Sequence, residues 1–330
     1  RLVGSEMCIR DSTILNNMKT CQEDIRRYQP DVVILIDYPG FNLKIAKYVK
    51  TQLGLPVYYY ISPKIWAWKQ YRIRDFRRYV DRMFCILPFE TEFFRKLNYS
   101  VDYVGNPSVD SVAYYKEHQA IPKDTFIKEE GLANKPILAL LSGSRKQEIK
   151  DNLPTMLKVA SAYPDYQPVI AGAPGIDPAY YQEYIGSYPA KIVFGKTYPL
   201  LQHSAAALVT SGTATLETAL FRVPQVVCYY VVAGQLASFI FKHFFHTKYI
   251  SLVNLIGGRE IVQELFGARF SESQIQDELG RILQDPAYRK RMLDGYDKII
   301  HTLGMPGASK RTARPVSYTH LRAHETDSYL

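Results

Sequence analysis

Leu138-Ala-Leu-Leu-Ser-Gly-Ser-Arg145 is the short segment around which the rest of the chain is organised. Its apolar first half is typical of a buried parallel strand, and apolar side chains recur at helical spacing after Arg145. A strand that turns at glycine into a helix leaves backbone N–H groups and the positive end of the helix dipole where an anion can bind. Arg145 adds a planar guanidinium that matches phosphate oxygens. A plain strand–helix connection capped by its serines explains the same pattern about equally well.

A second stretch, Ala207-Leu-Val-Thr-Ser-Gly-Thr-Ala-Thr-Leu-Glu217, repeats this order of strand, glycine turn and helix. The N–H groups and hydroxyls of its turn fit a diphosphate, and Glu217, one helical turn later, fits ribose hydroxyls. A capping box is the competing interpretation. Two such loops in one domain favour a nucleotide site more than either loop alone.

Strands and helices alternate along the rest of the chain, which predicts an α/β fold of two doubly wound, Rossmann-like halves that face a cleft. The continuous apolar run Val32–Ile36 predicts a strand covered on both faces. We expect domains over residues 13–120 and 136–314, joined by a polar linker over 121–135. Residues 1–12 and 315–330 have no helical or strand period and resemble read-through of adapter DNA, so we expect foreign tails. The predicted strands span residues 32–36, 57–61, 82–87, 101–104, 137–141, 168–171, 191–194, 206–209 and 225–230.

Composition narrows the class of protein. The chain has 330 residues, of which 47% are apolar, enough for two cores. Its apolar runs are shorter than the about 18 residues of a membrane span. The four cysteines show no paired or metal-type spacing, which fits a reducing cytoplasm. The net charge of +9 favours an anionic partner, although the aromatic residues lack the repeated stacking platforms of nucleic-acid binders.

Asp37 follows the buried strand Val32–Ile36, where α/β proteins build their sites. Apolar surroundings would raise its pKa toward the range of a general base. The competing interpretation is an aspartate that caps the next helix or turn. A glycine-containing loop, Ser251–Glu260, offers Asn254 and Glu260 to a polar ligand.

Two segments could contact a membrane surface. The first, Lys64–Arg82, is rich in basic residues, and the second, Ser238–His246, is rich in phenylalanine. A solvated basic helix and ordinary packing are the alternatives. His243 and His246 lack further ligands, so we expect no metal site. The candidate contact residues are Trp66, Trp68, Arg74, Arg78, Phe241 and Phe244.

Seven motifs follow one another along the chain: Ile36–Asn42, Tyr60–Trp68, Ile86–Glu90, Gly105–Pro107, Gly143–Arg145, Ser211–Glu217 and Ser251–Glu260. In combination and order, these motifs resemble the lipid-A-disaccharide synthases, which are GT-B glycosyltransferases of bacterial outer-membrane biogenesis. The resemblance implies a transfer from UDP-2,3-diacylglucosamine to 2,3-diacylglucosamine 1-phosphate, which gives a β-1,6-linked lipid A disaccharide phosphate and UDP.

The resemblance also assigns roles to residues. It implies an inverting mechanism without metal or cofactor, in which Asp37 accepts the proton of the acceptor hydroxyl and Arg145 stabilises the departing diphosphate. It further implies peripheral attachment to the cytoplasmic face of the inner membrane and allows a homodimer. The implied UDP-binding residues are Gly143, Ser144, Ser211, Gly212, Thr213, Glu217, Asn254 and Glu260.

One departure from the family bears on activity. The glycine-rich strand–loop with which the family begins is absent, so we expect an incomplete N-terminal domain. Two alternatives therefore stay open. The chain could be another GT-B enzyme, such as a peptidoglycan N-acetylglucosaminyl transferase or a UDP-GlcNAc epimerase. It could also be an inactive fragment that binds nucleotide or lipid.

Overall fold

A computed structural model describes residues 3–67, 69–210, 212–231 and 247–315. These residues form two units, one made of residues 3–106 with 307–315 and the other of Pro107–Pro306. Each unit is built on one parallel sheet with helices between successive strands, as the alternating pattern predicted.

The first unit has a four-stranded sheet whose strands pair in chain order. Pro39 and Pro88 begin two of its helices, where the missing N–H group costs nothing. Residues 308–315 are helical, and Arg311 Nε donates to the carbonyl oxygen of Val104 at 2.7 Å, which joins them to this unit. Its elements are α1 (Val3–Tyr28), β1 (Val33–Ile36), α2 (Pro39–Tyr48), β2 (Val57–Tyr60), α3 (Ile73–Tyr79), β3 (Arg82–Cys85), α4 (Pro88–Lys96) and β4 (Asp102–Tyr103).

Strand β1 lies at the edge of this sheet and has one buried and one exposed face. Val33 and Leu35 are buried, whereas Ile34 is 43% and Ile36 is 58% exposed. The prediction of cover on both faces is therefore wrong for the part of the chain that the structure describes, because Ile34 and Ile36 stay largely exposed there.

The second unit has a six-stranded parallel sheet in the order β10-β9-β8-β5-β6-β7. The elements of this unit are α5 (Pro107–His118), α6 (Lys123–Glu129), β5 (Ile137–Leu141), α7 (Lys146–Ser161), β6 (Gln167–Gly172), α8 (Pro178–Ile185), β7 (Lys191–Phe194), α9 (Thr197–His203), β8 (Ser204–Val209), α10 (Thr213–Leu220), β9 (Gln225–Tyr229), α11 (Leu252–Gly257), β10 (Glu264–Phe266), α12 (Glu272–Gln284) and α13 (Pro286–Leu303).

The order of this sheet reverses between β5 and β8. Strands β6 and β7 continue on one side of β5, and β9 and β10 continue beyond β8 on the other. All five residues of β5 are buried, as expected for a central strand with helices on both faces. Open α/β sheets bind ligands at such a switch point, outside the carboxyl ends of the strands.

Two segments differ from their appearance in the sequence. Helix α1 begins at Val3, so residues 3–12 are helical although their sequence has no helical period. The stretch contains no proline, and helix propensity does not require an apolar face.

The division between units lies at Asn106 rather than at residue 120. Helix α5 packs within the second unit, where the Tyr115 hydroxyl donates to Gln202 at 2.6 Å. Helix α6 occupies the expected linker and buries Phe126 completely in the same unit's core.

Candidate active site

The two glycine loops lie side by side at the switch point of the second unit's sheet. Leu141 and Val209, the last residues of β5 and β8, are register partners. Thr210 donates to the carbonyl oxygen of Leu141 twice, from its backbone nitrogen and from Oγ1, each at 2.9 Å. The sequence predicted both loops, and the structure brings them to one place.

The first loop turns at Gly143, whose φ of +112° favours glycine. A Cβ atom there would lie 2.5 Å from the Cβ of Glu148. Glu148 Oε2 accepts the backbone N–H groups of Ser144 at 2.8 Å and Arg145 at 3.3 Å, which completes a capping box. These amides are therefore occupied, whereas the sequence suggested that they were open to an anion.

The Arg145 side chain extends into solvent from this loop. It is 81% exposed, and its Nη1 contacts Glu148 Oε1 at 3.3 Å. An exposed ion pair of this kind holds a side chain weakly. The guanidinium is thus available to an anionic ligand through its remaining N–H groups.

The second loop turns at Gly212, where φ is +126°, and α10 begins at the exposed Thr213. Gly212 holds the N-cap position without a side chain, so it does not cap the first-turn amides as Glu148 does in the first loop. A helix that begins without a side-chain cap is suited to an anion. Ser211 lies outside the described residues.

Glu217 lies one turn into α10 and is half-buried. The Tyr198 hydroxyl donates to its Oε1 at 3.0 Å. Burial raises the pKa of Glu217, and the hydrogen bond from Tyr198 opposes that rise. Its Oε2 accepts no hydrogen bond from the described residues, so it remains open to a hydroxyl donor.

Asn254, in contrast, is fully buried and fully hydrogen-bonded. Its Nδ2 donates to Val262 O and Glu264 Oε1, each at 2.8 Å, and its Oδ1 accepts N–H groups from Ile261 at 2.7 Å and Val262 at 3.0 Å. The side chain therefore positions the segment before β10 and has no hydrogen-bonding capacity left for a ligand.

Glu264 is a buried carboxylate to which the sequence analysis gave no role. Its Oε1 accepts from the backbone and hydroxyl of Ser251, and its Oε2 accepts from the backbone of Ile250. A single acid at the start of a three-residue strand gives little sequence signal, because strands of this length show no clear period.

Glu260 lies apart from the two glycine loops. It precedes β10 and lines a cavity of ≈ 340 Å³ with Arg281, Tyr288 and Arg291. Helix α13 begins near the amino end of β8, since Arg289 donates to Ala205 O at 2.9 Å. This cavity therefore lies at the amino ends of the strands, whereas the two glycine loops lie at the carboxyl ends. The structure does not bring Glu260 to the switch point.

In the first unit, Asp37 follows the carboxyl end of β1 with a left-handed backbone, φ +47°, as does Tyr38 at +46°. Its carbonyl oxygen accepts from Tyr59 Oη at 2.6 Å and Asn42 Nδ2 at 2.7 Å. Non-glycine residues in this conformation are sparse and need such support. The Asp37 side chain is exposed, so the expectation of apolar surroundings is wrong.

Trp66 is only 6% exposed, and its indole Nε1 donates to Glu90 Oε1 at 3.1 Å. Its ring packs edge-on against Phe89. The prediction that Trp66 contacts a membrane is wrong, because its polar and apolar parts are both used inside the first unit. Trp68, Phe241 and Phe244 lie outside the described residues.

The basic segment presents fewer free charges than its sequence suggests. Arg77 donates to Leu97 O, and Arg82 pairs with Asp102 at 2.7 Å. Arg74 and Arg78, one turn apart on α3, are exposed and form no ion pair within the described residues.

No helix of the described segments is long and apolar enough to cross a membrane. Within those same segments, no three His, Cys, Asp or Glu side chains are grouped as metal ligands.

Comparison with known proteins places these motifs in context. The family model described as lipid-A-disaccharide synthetase matches residues 8–312. A lipid-A-disaccharide synthase from Myxococcus xanthus (strain DK1622) is 38% identical over 324 residues, which covers 94% of this chain and 81% of that protein.

Solved structures share the fold. The S. aureus MnaA–UDP co-structure is similar with a TM-score of 0.65 at 12% identity, covering 94% of this chain and 81% of that one. The calicheamicin glycosyltransferase CalG4 is similar with a TM-score of 0.56 at 14% identity, covering 93% and 80%. At these identities the likeness concerns the fold alone, and it confirms the GT-B prediction.

Proposed function

The chain belongs to the lipid-A-disaccharide synthetase family, and on that premise we propose which of its residues carry out the glycosyl transfer. The protein is a glycosyltransferase of lipid A disaccharide synthesis. The observation that supports a donor site is the pair of glycine loops at the switch point between β5 and β8.

The UDP moiety of the donor binds at these two loops. The Arg145 guanidinium meets the diphosphate together with the N-terminus of α10, at Gly212 and Thr213, where no described side chain caps the helix. Glu217 accepts a ribose hydroxyl on its Oε2 while Tyr198 holds its Oε1. Gly143 and Ser144 shape the first loop, since Gly143 supplies its turn and the Ser144 N–H is already bonded to Glu148.

Asp37 acts as the general base of an inverting transfer. It accepts the proton of the acceptor 6-hydroxyl as that oxygen attacks the anomeric carbon and the C–O bond to UDP breaks. Arg145 stabilises the charge that develops on the departing diphosphate. The strained, multiply supported backbone at Asp37 supports this role, since such strain clusters at functional sites.

Peripheral attachment to the inner face of the inner membrane completes the proposal. Arg74 and Arg78 are exposed and form no ion pair with the residues that the structure describes, so they offer two charges to anionic headgroups. Arg74→Glu with Arg78→Glu should weaken sedimentation with phosphatidylglycerol vesicles, whereas Lys123→Glu with Lys128→Glu, on α6, should not. Equal binding of both double variants would show that these arginines are not part of the membrane-contact surface.

The homodimer that the resemblance allows is tested by light scattering.

The donor site is tested by titrating UDP into the wild type and Arg145→Ala. We expect about 10–100-fold weaker UDP binding in the variant, the scale of losing charge-assisted hydrogen bonds. Unchanged UDP affinity would overturn the assignment. Product formation from UDP-2,3-diacylglucosamine, but not from non-acylated UDP-N-acetylglucosamine, separates this activity from the other GT-B enzymes.

A further inference from the structure

Glu90 is a buried carboxylate at the first turn of α4, just after β3. Its exposed fraction is 1%. Oε1 accepts Ser62 Oγ at 2.8 Å and Trp66 Nε1 at 3.1 Å. Oε2 accepts the backbone N–H groups of Ile86 at 3.3 Å and Leu87 at 3.0 Å.

These four donors come from two loops that follow neighbouring strands. Ser62 and Trp66 belong to the loop after β2, and Ile86 and Leu87 belong to the turn after β3. An ionised carboxylate accepts from all four at once, whereas a glutamine would turn an NH₂ group toward one pair of donors. No Lys, Arg or His among the described residues forms an ion pair with Glu90.

A buried carboxylate without a cation is costly. Burial raises the pKa of Glu90, and the hydrogen bonds from Ser62, Leu87, Trp66 and Ile86 oppose the rise. The loop between Ser62 and Trp66 is therefore held at an energetic cost that an apolar contact would avoid.

The same loop begins beside the proposed base. The backbone N–H of Asp37 donates to Tyr60 O at 2.9 Å, and the loop leaves β2 at Ile61, whose φ is +66°. Tyr59, the preceding residue of β2, donates its hydroxyl to the Asp37 carbonyl at 2.6 Å. The end of β2 is thus hydrogen-bonded to Asp37 on one side, and the loop that follows it is hydrogen-bonded to Glu90 on the other.

We propose that Glu90 is a positioning residue for the glycosyl transfer. Its carboxylate fixes the Ser62–Trp66 loop against the end of β3, and this sets the end of β2 that holds the Asp37 backbone. The inference rests on the proposed role of Asp37 as general base. Glu90 itself does not touch the substrates and acts only through Asp37.

The test compares turnover in four proteins: wild type, Glu90→Gln, Asp37→Asn and the double variant, with UDP-2,3-diacylglucosamine and 2,3-diacylglucosamine 1-phosphate. We expect Glu90→Gln to lower kcat about 10–100-fold, the scale of a misplaced reacting group, without changing the Kd for UDP. In the Asp37→Asn background, Glu90→Gln should change kcat less than about 2-fold, because two residues that act as one unit are not additive.

Glu92→Gln is the matched control, since Glu92 lies on the same helix but is exposed and pairs with Arg95. It should retain wild-type kcat. Trp66→Phe keeps the aromatic packing and removes one donor to Glu90, so it should lower kcat in the same direction even if Glu90→Gln folds poorly.

Three results would overturn the inference. They are a multiplicative loss in the double variant, a wild-type kcat in both Glu90→Gln and Trp66→Phe, or a parallel loss of UDP binding. A failure of the proposed function looks different, because Asp37→Asn alone would then keep near-normal turnover.

Discussion

Glu217 combines a cost to stability with a proposed contact to UDP. Burial raises its pKa, so the folded protein holds the proton more tightly than the unfolded chain. The stabilisation that the folded protein gains from binding this proton is fully present below the pKa of the unfolded chain. It is lost as the pH rises through the pKa of the folded protein. A neutral side chain of the same shape avoids that loss.

Glu217→Gln should therefore gain thermal stability relative to the wild type as the pH rises from 4 to 8, while its UDP affinity falls about 10-fold or more. Melting temperatures at several pH values and a UDP titration measure the two effects. Glu183→Gln, at an exposed position of α8, should change neither. A lower melting temperature at pH 8 than the wild type, or an unchanged UDP Kd, would count against this account of Glu217.

Asn254 has the opposite character, because all of its hydrogen bonds are internal. Asn254→Asp would set a carboxylate against the buried Glu264, which now accepts from Asn254 Nδ2. We expect a loss of about 3–5 kcal/mol in the free energy of unfolding, the scale of an uncompensated buried charge. Denaturant unfolding measures it, with the exposed Asn98→Asp as control. A stable variant with weakened UDP binding would instead indicate a direct ligand.

At the residue scale, sequence reasoning located loops better than side-chain directions. It placed Trp66 at a membrane and Asn254 on UDP, yet both side chains point into the protein. The residue type was compatible with either role. In each case a buried carboxylate sets the direction of the side chain, since Glu90 accepts from Trp66 and Glu264 accepts from Asn254. The positions of these carboxylates depend on contacts between residues that are distant in sequence.

At the scale of elements, the first glycine loop depends on the absence of a side chain. Gly143→Ala would place a Cβ 2.5 Å from that of Glu148 in a left-handed backbone. We expect a lower melting temperature and weaker UDP binding, since the loop and the capping box shift together.

Gly186→Ala is the matched control for that substitution. Gly186 also has a positive φ, +49°, but no atom lies within 4 Å of the added Cβ. It should cost about 1 kcal/mol from backbone strain without affecting UDP binding. Equal effects of the two substitutions on UDP affinity would contradict the role of the first loop.

Strands β5 and β7 were predictable because a proline shortly before and a glycine shortly after bound each run. β5 and β7 have the predicted limits, and β8 begins two residues early. Strand β10 was missed, since its three residues include an acid. The exposure of Ile34 and Ile36 on β1 was not predictable, because an apolar run does not reveal which elements cover each face.

At the scale of the molecule, the order of the seven motifs predicted the family, whereas no single motif could do so. The motifs fall in both units, from Ile36–Asn42 in the first to Ser251–Glu260 in the second. The limits of the units were harder to predict from the sequence. Local polarity suggested a linker near residue 130, but the burial of Phe126 and the return of residues 308–315 are set by packing.

We propose that this chain transfers an acylated sugar from UDP with Asp37 as the base. The most direct measurement is the rate of disaccharide formation from UDP-2,3-diacylglucosamine and 2,3-diacylglucosamine 1-phosphate by the wild type and Asp37→Ala, with the UDP Kd of both. We predict a rate lowered by about 10²–10⁴ in the variant and an unchanged Kd. A near-normal rate in Asp37→Ala would show that Asp37 is not the base.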